Sequence, residues 1–321
     1  MAGALNPPAD RTRQVELAAV ANPGGARRQM LTAALPALAY LALCFIWGST
    51  YLGIRLAVQS IPPLLMVGAR SVIAGALMAG LALAFGAPWP DRRAFGRAAV
   101  SGLLLFLGGQ TLLAVGEQRV PSGQAALLGA LLALFLPLAS WTLGEAVAPT
   151  RRTLLALVVG FAGVAVLVRP GAGVLNLAGG AIVLASNVTW AYGGAVSRRY
   201  PATPNIFLTG GLQMVLGGAA CLAISAVSGE LQHFSLQTVT RESWFGFGYL
   251  IAFGSMIGFS AFAWLVRLWP PQRLATYTYV NPIVALVLGA ALAGETLTLR
   301  EGVATLLILG AVAVVLTGKR K

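Results

Sequence analysis

Apolar stretches follow one another along almost the whole chain, separated by short polar breaks. A membrane-spanning helix needs about 20 mainly apolar residues, and the alternation of apolar and polar positions that is typical of membrane strands is absent. The pattern therefore predicts an all-α integral membrane protein with ten transmembrane helices. The predicted spans are 33–55, 63–86, 97–116, 122–145, 152–168, 175–197, 204–228, 244–268, 272–293 and 297–317.

The composition agrees with this pattern. Hydrophobic residues make up 58% of the chain and charged residues only 10%, whereas soluble domains carry about 25% charged residues. Because so little charge could not cover a water-facing surface, a soluble fold is excluded and membrane lipid becomes the expected surroundings.

The net charge of +13 reflects topology and not nucleic-acid binding. If the N-terminus is cytoplasmic, the loops and tails on that side hold 16 of the 22 basic residues, as the positive-inside rule requires. Both termini are therefore predicted to be cytoplasmic. A nucleic-acid partner is not expected, because the chain has no basic soluble domain to carry one. The 16 residues are Arg11, Arg13, Arg27, Arg28, Arg92, Arg93, Arg97, Arg151, Arg152, Arg198, Arg199, Arg267, Arg273, Lys319, Arg320 and Lys321.

Two segments of the chain have the same layout. The stretch PSGQAALLGALLALFLPLASWTLGE begins at Pro121, and PQRLATYTYVNPIVALVLGAALAGE begins 150 positions later at Pro271. Trp47 and Trp190 form another equivalent pair, 143 positions apart. The order of these matches predicts two repeats of five helices each.

The predicted organisation is a disordered cytoplasmic tail over 1–30, a first repeat over 31–169 and a second over 174–318. The tail lacks the apolar region of a cleaved signal peptide. An odd number of helices in each repeat makes the second repeat enter the membrane inverted. Inverted repeats are characteristic of secondary transporters, whose substrate site lies between the halves near the bilayer midplane.

Polar side chains inside the predicted spans are the candidate site, because a polar group in lipid is costly and usually faces a partner or a cavity. The fifth and tenth helices have almost none, which predicts a lipid-facing scaffold role for them. The candidate substrate-binding residues are Trp47, Thr50, Tyr51, Arg70, Gln110, Trp190, Gln213, Tyr277, Tyr279 and Asn281.

Several of these residues have a structural alternative. Arg70 is expected to bind an anion or carboxylate, or else to reach the outer membrane surface with its long side chain or to bond the carbonyls of a broken helix. Trp47 and Trp190 could line a cavity or belong to an interfacial belt. Asn281 precedes the helix-breaking Pro282, so its amide could face a cavity or hydrogen-bond a freed carbonyl.

Catalytic and metal-binding patterns are not evident. The nine acidic residues fall in loops, in the tail or at helix ends, and the single histidine, His233, falls in a loop. Cys44 and Cys221 lie in apolar stretches and are expected to be small packing residues. No Walker A sequence is present. We therefore expect no cofactor and no metal, and we expect that the protein is not an enzyme. Strict proton coupling through a buried carboxylate is disfavoured, although Glu117 at a helix end could serve.

The segments IWGSTYLGIRLAV, PPLLMVGAR, VPSGQAALLGALLALF and TYTYVNPIVALVLGAALAGETLT resemble EamA-type carriers of the drug/metabolite transporter superfamily, in particular their YedA-like branch. The resemblance covers about residues 38 to 317. It implies a ten-helix protein of the bacterial inner membrane that exports small metabolites by alternating access. It also implies a cavity lined by helices 1 to 4 and 6 to 9, with WGSTY, Arg70 and YVNP as motif residues.

Secondary export of amino-acid-like or drug-like solutes is accordingly the leading hypothesis. The expected partners are a small-molecule substrate and membrane lipid. The sequence leaves open whether the protein forms a homodimer. The alternatives are a membrane protein that binds or regulates without transporting, and a channel. A channel would need continuous polar rings, which the sequence does not show.

Overall fold

The computed structural model describes residues 23–144, 148–168, 176–269, 274, 276–296 and 298–316. In this part of the chain the backbone forms ten long helical segments and no strand. They are α1 Pro23–Ala57, α2 Pro63–Ala84, α3 Arg92–Glu117, α4 Ser122–Thr142, α5 Arg151–Val168, α6 Leu177–Arg199, α7 Ile206–Val227, α8 over 241–268, α9 Tyr277–Ala293 and α10 Leu299–Leu316. A short helix, Glu230–His233, and a 3₁₀ turn, Leu236–Thr238, lie between α7 and α8.

The helices have the lengths expected for membrane spans. Among the described residues, six stretches are long and apolar enough to cross a bilayer, and α9 is a shorter apolar helix. The prediction of an all-helical membrane protein is therefore confirmed at this level. The six stretches are Ala34–Ala57, Pro63–Ala84, Arg92–Glu117, Ser122–Thr142, Ile206–Val227 and Arg241–Phe262.

The first helix begins earlier than the sequence pattern suggests. α1 starts at Pro23, inside the tail predicted over 1–30. Proline is favoured in the first turn of a helix, and the stretch 26–31 is composed of good helix formers. The remainder of the predicted tail, 1–22, lies outside the described residues, as do Glu145 and Pro271 of the repeat comparison.

Side chains cap several helices in the way their sequences lead one to expect. The Asp91 carboxylate accepts a hydrogen bond from Ala94 N at 2.6 Å at the start of α3, and Asn176 accepts one from Gly179 N at 2.9 Å at the start of α6. Asn205 accepts from two amides at the start of α7. These contacts satisfy backbone donors that have no partner within the helix.

α2 and α7 pack closely against each other. A Cβ atom added at Gly75 would lie 2.7 Å from the carbonyl oxygen of Gly211, and one added at Gly211 would lie 2.8 Å from that of Gly75. Gly68 and Gly218 form a second reciprocal pair, at 3.0 and 2.9 Å. The two helices therefore run antiparallel with their backbones in direct contact, as small residues permit in membranes.

The other main helix contacts are related in pairs. If α1 to α5 are matched with α6 to α10, the contact of α1 with α9 corresponds to that of α6 with α4, and α1 with α8 corresponds to α6 with α3. The contacts α2–α7, α4–α9 and α5–α10 each correspond to themselves. Exchanging the two halves of the chain therefore preserves these contacts, whereas those of α4 with α10 and of α1 with α4 have no counterpart of similar extent.

α3 and α8, which are matched in this scheme, share an irregularity. Each contains a π-helical segment, Leu103–Gln110 in α3 and Leu250–Gly258 in α8. π-helical turns are rare and are found often at functional sites. The sequence gives little sign of them beyond the glycines that both segments contain.

Candidate functional site

Arg70 lies in the interior of the helix bundle. Its side chain is only 4% exposed, and its Nη2 donates a hydrogen bond to Gln110 Oε1 at 2.7 Å. The Nε group has no hydrogen-bond partner among the described residues. Arg70 therefore does not extend to a water-facing surface in this structure, and it keeps an unused donor beside a second candidate residue.

A carboxylate lies in the same region. Glu117, the last residue of α3, is 1% exposed, and the described residues offer neither of its side-chain oxygens a hydrogen bond. Arg70 and Arg55 both interact with it electrostatically. The sequence placed this glutamate correctly at a helix end, but the end itself is buried.

Trp47 belongs to an aromatic cluster of α1, α8 and α9. Its ring lies 5.1 Å from that of Phe262 and 5.1 Å from that of Tyr277, the second in an edge-to-face arrangement. Its indole N–H donates to the carbonyl of Gly254, in the π-helical segment of α8, at 3.3 Å. The contacts show an internal position for this tryptophan and bring two of the candidate residues together.

Trp190 has an equivalent position in the other half of the chain. Its ring lies 6.3 Å from that of Phe106. A Cβ added at Gly109 would come within 2.7 Å of the same indole. Phe106 and Gly109 belong to the π-helical segment of α3, so each of the two tryptophans packs on the π-helical segment of a matched helix.

Two candidates on α1 make contacts of different kinds. Thr50 Oγ1 donates to the carbonyl of Trp47 in its own helix at 2.6 Å, so its hydroxyl is already used. Tyr51 reaches α4, where its hydroxyl lies over Gly129. It also interacts electrostatically with Glu117.

Two of the candidates on α9, Asn281 and Tyr279, also differ in whether their polar groups have partners. With its nitrogen facing the carbonyls of Cys44 and Tyr277, the amide of Asn281 donates to both, at 3.2 and 3.1 Å. Asn281 therefore links α9 to α1, and neither carbonyl is that of Thr278, which Pro282 leaves without its α-helical donor. The Tyr279 hydroxyl is buried and has no hydrogen-bond partner among the described residues.

Gln213 lies apart from the Arg70 region. Its amide donates to Ser101 Oγ at 2.9 Å and to Ser197 Oγ at 2.7 Å, and so joins α7 to α3 and α6. Ser101 is nine residues before Gln110 on α3, which corresponds to about 13 Å along a helix. The structure thus pairs Arg70 with Gln110 and Trp47 with Tyr277, but it does not place Gln213 beside either pair.

An ionic contact joins three helices at one end of the bundle. Glu295, just after α9, accepts hydrogen bonds from Ser122 N at 2.8 Å, Ser122 Oγ at 2.9 Å and Gly123 N at 3.1 Å, which are the first donors of α4. Arg55 lies 3.4 Å from the same carboxylate and donates to the carbonyl of Val120 at 2.8 Å. The ends of α1, α4 and α9 are therefore held together.

Comparison with known proteins identifies the family of the chain. The sequence matches the family described as EamA-like transporter family over two segments, residues 34–169 and 177–317. The chain belongs to this family. Each matched segment contains one of the two equivalent tryptophans, so both members of the pair lie within EamA segments.

The relatives are named as transporters. The chain is 36% identical over 283 residues to the uncharacterized inner membrane transporter YedA of Escherichia coli (strain K12), covering 88% of this chain and 90% of that protein. It is 27% identical over 290 residues to the uncharacterized transporter YvbV of Bacillus subtilis (strain 168), covering 88% and 91%. These relatives and the membrane-length helices support a multi-pass EamA protein of the inner membrane.

A solved structure supports the fold alone. One crystal structure superposes with a TM-score of 0.59 at 21% sequence identity, and the match covers 88% of this chain and 96% of that one. The helical fold of this EamA chain therefore has a counterpart of nearly the same extent.

Two further polar contacts lie inside the bundle. Ser49 Oγ lies 2.5 Å from the Tyr249 hydroxyl, between α1 and α8. The buried amide of Asn187 donates to the carbonyl of Leu128 at 2.7 Å, between α6 and α4. Both Ser49 and Asn187 stand out as polar residues in apolar spans, but only the fold shows their partners.

Proposed function

We propose that this EamA protein is a secondary transporter that exports small amino-acid-like or drug-like solutes across the inner membrane by alternating access. The observation that carries the substrate proposal is the buried Arg70 guanidinium, which is held by Gln110 and has an Nε donor without a partner among the described residues. A guanidinium binds carboxylates through two parallel hydrogen bonds.

The architecture proposed for this transporter is ten membrane-spanning helices arranged as two inverted repeats. It is supported by the main helix contacts, which are related in pairs between the two halves, and by the directions of the helices. α2 and α7 run antiparallel, while Tyr40 and Cys44 of α1 meet Thr276 and Asn281 of α9 in the same order. Antiparallel α2 and α7 and parallel α1 and α9 both agree with a chain that crosses the membrane at every helix. Both termini are proposed to be cytoplasmic.

The aromatic cluster of Trp47, Phe262 and Tyr277 supports a substrate with an apolar part. The aromatic faces suit an apolar group, while polar side chains placed nearby would fix its orientation. We therefore propose a solute that carries a carboxylate for Arg70 and an apolar side chain for this cluster.

The test is counterflow in proteoliposomes. Purified protein is reconstituted into vesicles loaded with an unlabelled amino-acid mixture, and a trace of the same mixture in radiolabelled form is added outside. A carrier exchanges the label inwards against the internal pool, so the expected result is uptake that disappears when the vesicles are loaded with buffer alone. Adding single unlabelled amino acids outside then identifies the substrate by competition.

The outcomes separate the alternatives. Label that enters equally with and without the internal pool would indicate a channel. No uptake by protein that elutes as a single folded species would contradict amino-acid exchange and direct the same assay to nucleosides, sugars and cationic drugs. Failure with all of these would favour a membrane protein that binds or regulates without transporting.

A further inference from the structure

Glu117 is an unusual group within the described bundle. Its side chain is 1% exposed, and neither carboxyl oxygen accepts a hydrogen bond of regular geometry from the described residues, although the backbone of Arg55 interacts weakly with it. By contrast, the carboxylate of Glu295 accepts three hydrogen bonds and faces Arg55. Two glutamates near the same end of the bundle therefore differ. The carboxylate of Glu295 accepts three hydrogen bonds, whereas that of Glu117 accepts none of regular geometry.

The charged and titratable groups around Glu117 come from three directions. Arg55 and Tyr51 approach from α1, Arg70 approaches from α2, and Glu295 approaches from the end of α9. Neither arginine lies within salt-bridge distance of Glu117, and the guanidinium of Arg55 is engaged by Glu295 and by a backbone carbonyl. The electrostatic environment therefore contains opposing contributions, and it does not include a direct ion pair.

A carboxylate in this setting is costly when ionised. Burying a charge that has neither a close counter-ion nor hydrogen-bond donors carries a large free-energy penalty, and the group avoids that penalty by taking up a proton. Because both oxygens are buried away from solvent, release of the proton requires a change in the helices around the carboxyl group. Such a change is what alternating access supplies.

We propose that Glu117 is a proton-binding site that holds its proton in the arrangement seen here and releases it when the surrounding helices rearrange, so that the carrier exchanges a proton for its solute. The proposal rests on the proposed transport function for its second part, the coupling, but not for its first part, the binding of the proton. It assigns the driving force of export to the proton gradient. It also gives a role to a polar group that the substrate proposal does not use.

Proton binding is tested without any solute. The thermal unfolding midpoint of the detergent-purified protein is measured between about pH 5 and about pH 9, in wild type and in Glu117→Gln. A carboxyl that is neutral in the folded state but ionised in the unfolded state stabilises the fold less as the pH rises. The wild-type midpoint should therefore fall with increasing pH, while the curve of the glutamine variant should be flatter.

A matched control uses the same chemical change at an exposed glutamate. Glu242 lies exposed in the first turn of α8, and Glu242→Gln should keep the wild-type dependence on pH. A Glu117→Gln curve that parallels the wild-type curve would overturn the proton site, whatever the transport assay shows.

Coupling is tested in the proteoliposomes described above, with the radiolabelled amino-acid mixture as probe. With the vesicle interior about one pH unit more acidic than the outside, exchange of one proton for one solute supports about tenfold accumulation in wild type, since one pH unit equals about 1.4 kcal/mol per proton. In Glu117→Gln the ratio of accumulation with the gradient to accumulation without it should fall to about one. Glu242→Gln should behave as wild type.

The two proposals fail in different ways. If wild-type protein shows no counterflow, amino-acid transport is contradicted. The unfolding curves then still show whether Glu117 binds a proton. Wild-type counterflow together with no response to the gradient, or with an undiminished response in Glu117→Gln, would overturn the coupling while transport itself stands.

Discussion

The indole N–H of Trp47 donates a hydrogen bond to the carbonyl of Gly254, across the interface between α1 and α8. Gly254 lies in a π-helical segment, where backbone carbonyls are no longer paired in the regular α-helical manner. Trp190 lies against the corresponding segment of α3, next to Gly109. The same side chain therefore supports the same backbone irregularity in both halves of the molecule.

Replacing Trp47 by phenylalanine tests the value of that hydrogen bond. The variant keeps aromatic contacts with Phe262 and Tyr277 but leaves the Gly254 carbonyl without its donor, and it should lose about 0.5–1.5 kcal/mol of stability. Trp264→Phe is the control, because Trp264 is 39% exposed on the same helix pair. The measurement is the thermal unfolding midpoint in detergent. Equal midpoints for the two variants would show that the hydrogen bond contributes nothing.

Gly75 should not tolerate a larger side chain. A Cβ at this position would lie 2.6 Å from the Cβ of Met214 and 2.7 Å from a backbone oxygen of α7, so Gly75→Leu must force α2 and α7 apart. Overpacking of this kind costs about 1–3 kcal/mol or more. Gly80→Leu is the matched control on α2, because a Cβ there meets nothing within 4 Å. The yield of monodisperse protein and its unfolding midpoint should fall only for Gly75→Leu.

Arg70→Ala should abolish binding of carboxylate solutes while the protein still inserts and folds. The reason is the loss of the buried guanidinium that is paired with Gln110. The measurement is competition for counterflow by single amino acids, with Arg241→Ala, at an exposed position, as the control. Wild-type affinity for an amino acid in Arg70→Ala would reject the assignment and leave Arg70 with a structural role.

Glu295 should contribute to stability through α4. Its carboxylate accepts the hydrogen bonds of the first α4 donors, and removal of such a cap costs about 0.5–2 kcal/mol. Glu295→Ala should lower the free energy of unfolding by an amount in this range and the unfolding midpoint with it, and Glu295→Gln should lower both less because the amide keeps one acceptor oxygen. If both variants matched wild type, the contact between α9 and α4 would be incidental to stability.

The sequence predicted the helices well because a membrane span has a simple signature. Twenty apolar residues with polar ends are sufficient to recognise a helix such as α2 or α7. A repeat was predicted because pairs such as Trp47 and Trp190 occur in the same order in both halves of the chain. Contacts between helices depend instead on which face each helix turns toward its neighbours, and an almost uniformly apolar helix carries little information about that.

The site shows the same limit. Arg70 and Gln110 were both identified as polar residues in apolar spans, but their pairing depends on the packing of α2 against α3. Glu117 was assigned to a helix end, which is correct, yet a helix end in this bundle is buried because α1 and α2 cover it. The exposure of a terminus is a property of the whole fold and cannot be derived from the position of a residue in its helix.

Substitutions in α5 provide a final test of the division between site and scaffold. α5 packs against α10 and α4, with Ala156 2% exposed in an apolar cluster, and its outer face presents Leu155 and Val158. Ala156→Asn should place an unsatisfied amide in this cluster and cost about 1–3 kcal/mol. Because α5 lies outside the Arg70 and Trp47 clusters, the ranking of competing solutes in counterflow should stay that of wild type. Trp47→Ala should alter that ranking. A changed ranking in Ala156→Asn at wild-type stability would show that α5 takes part in substrate selection.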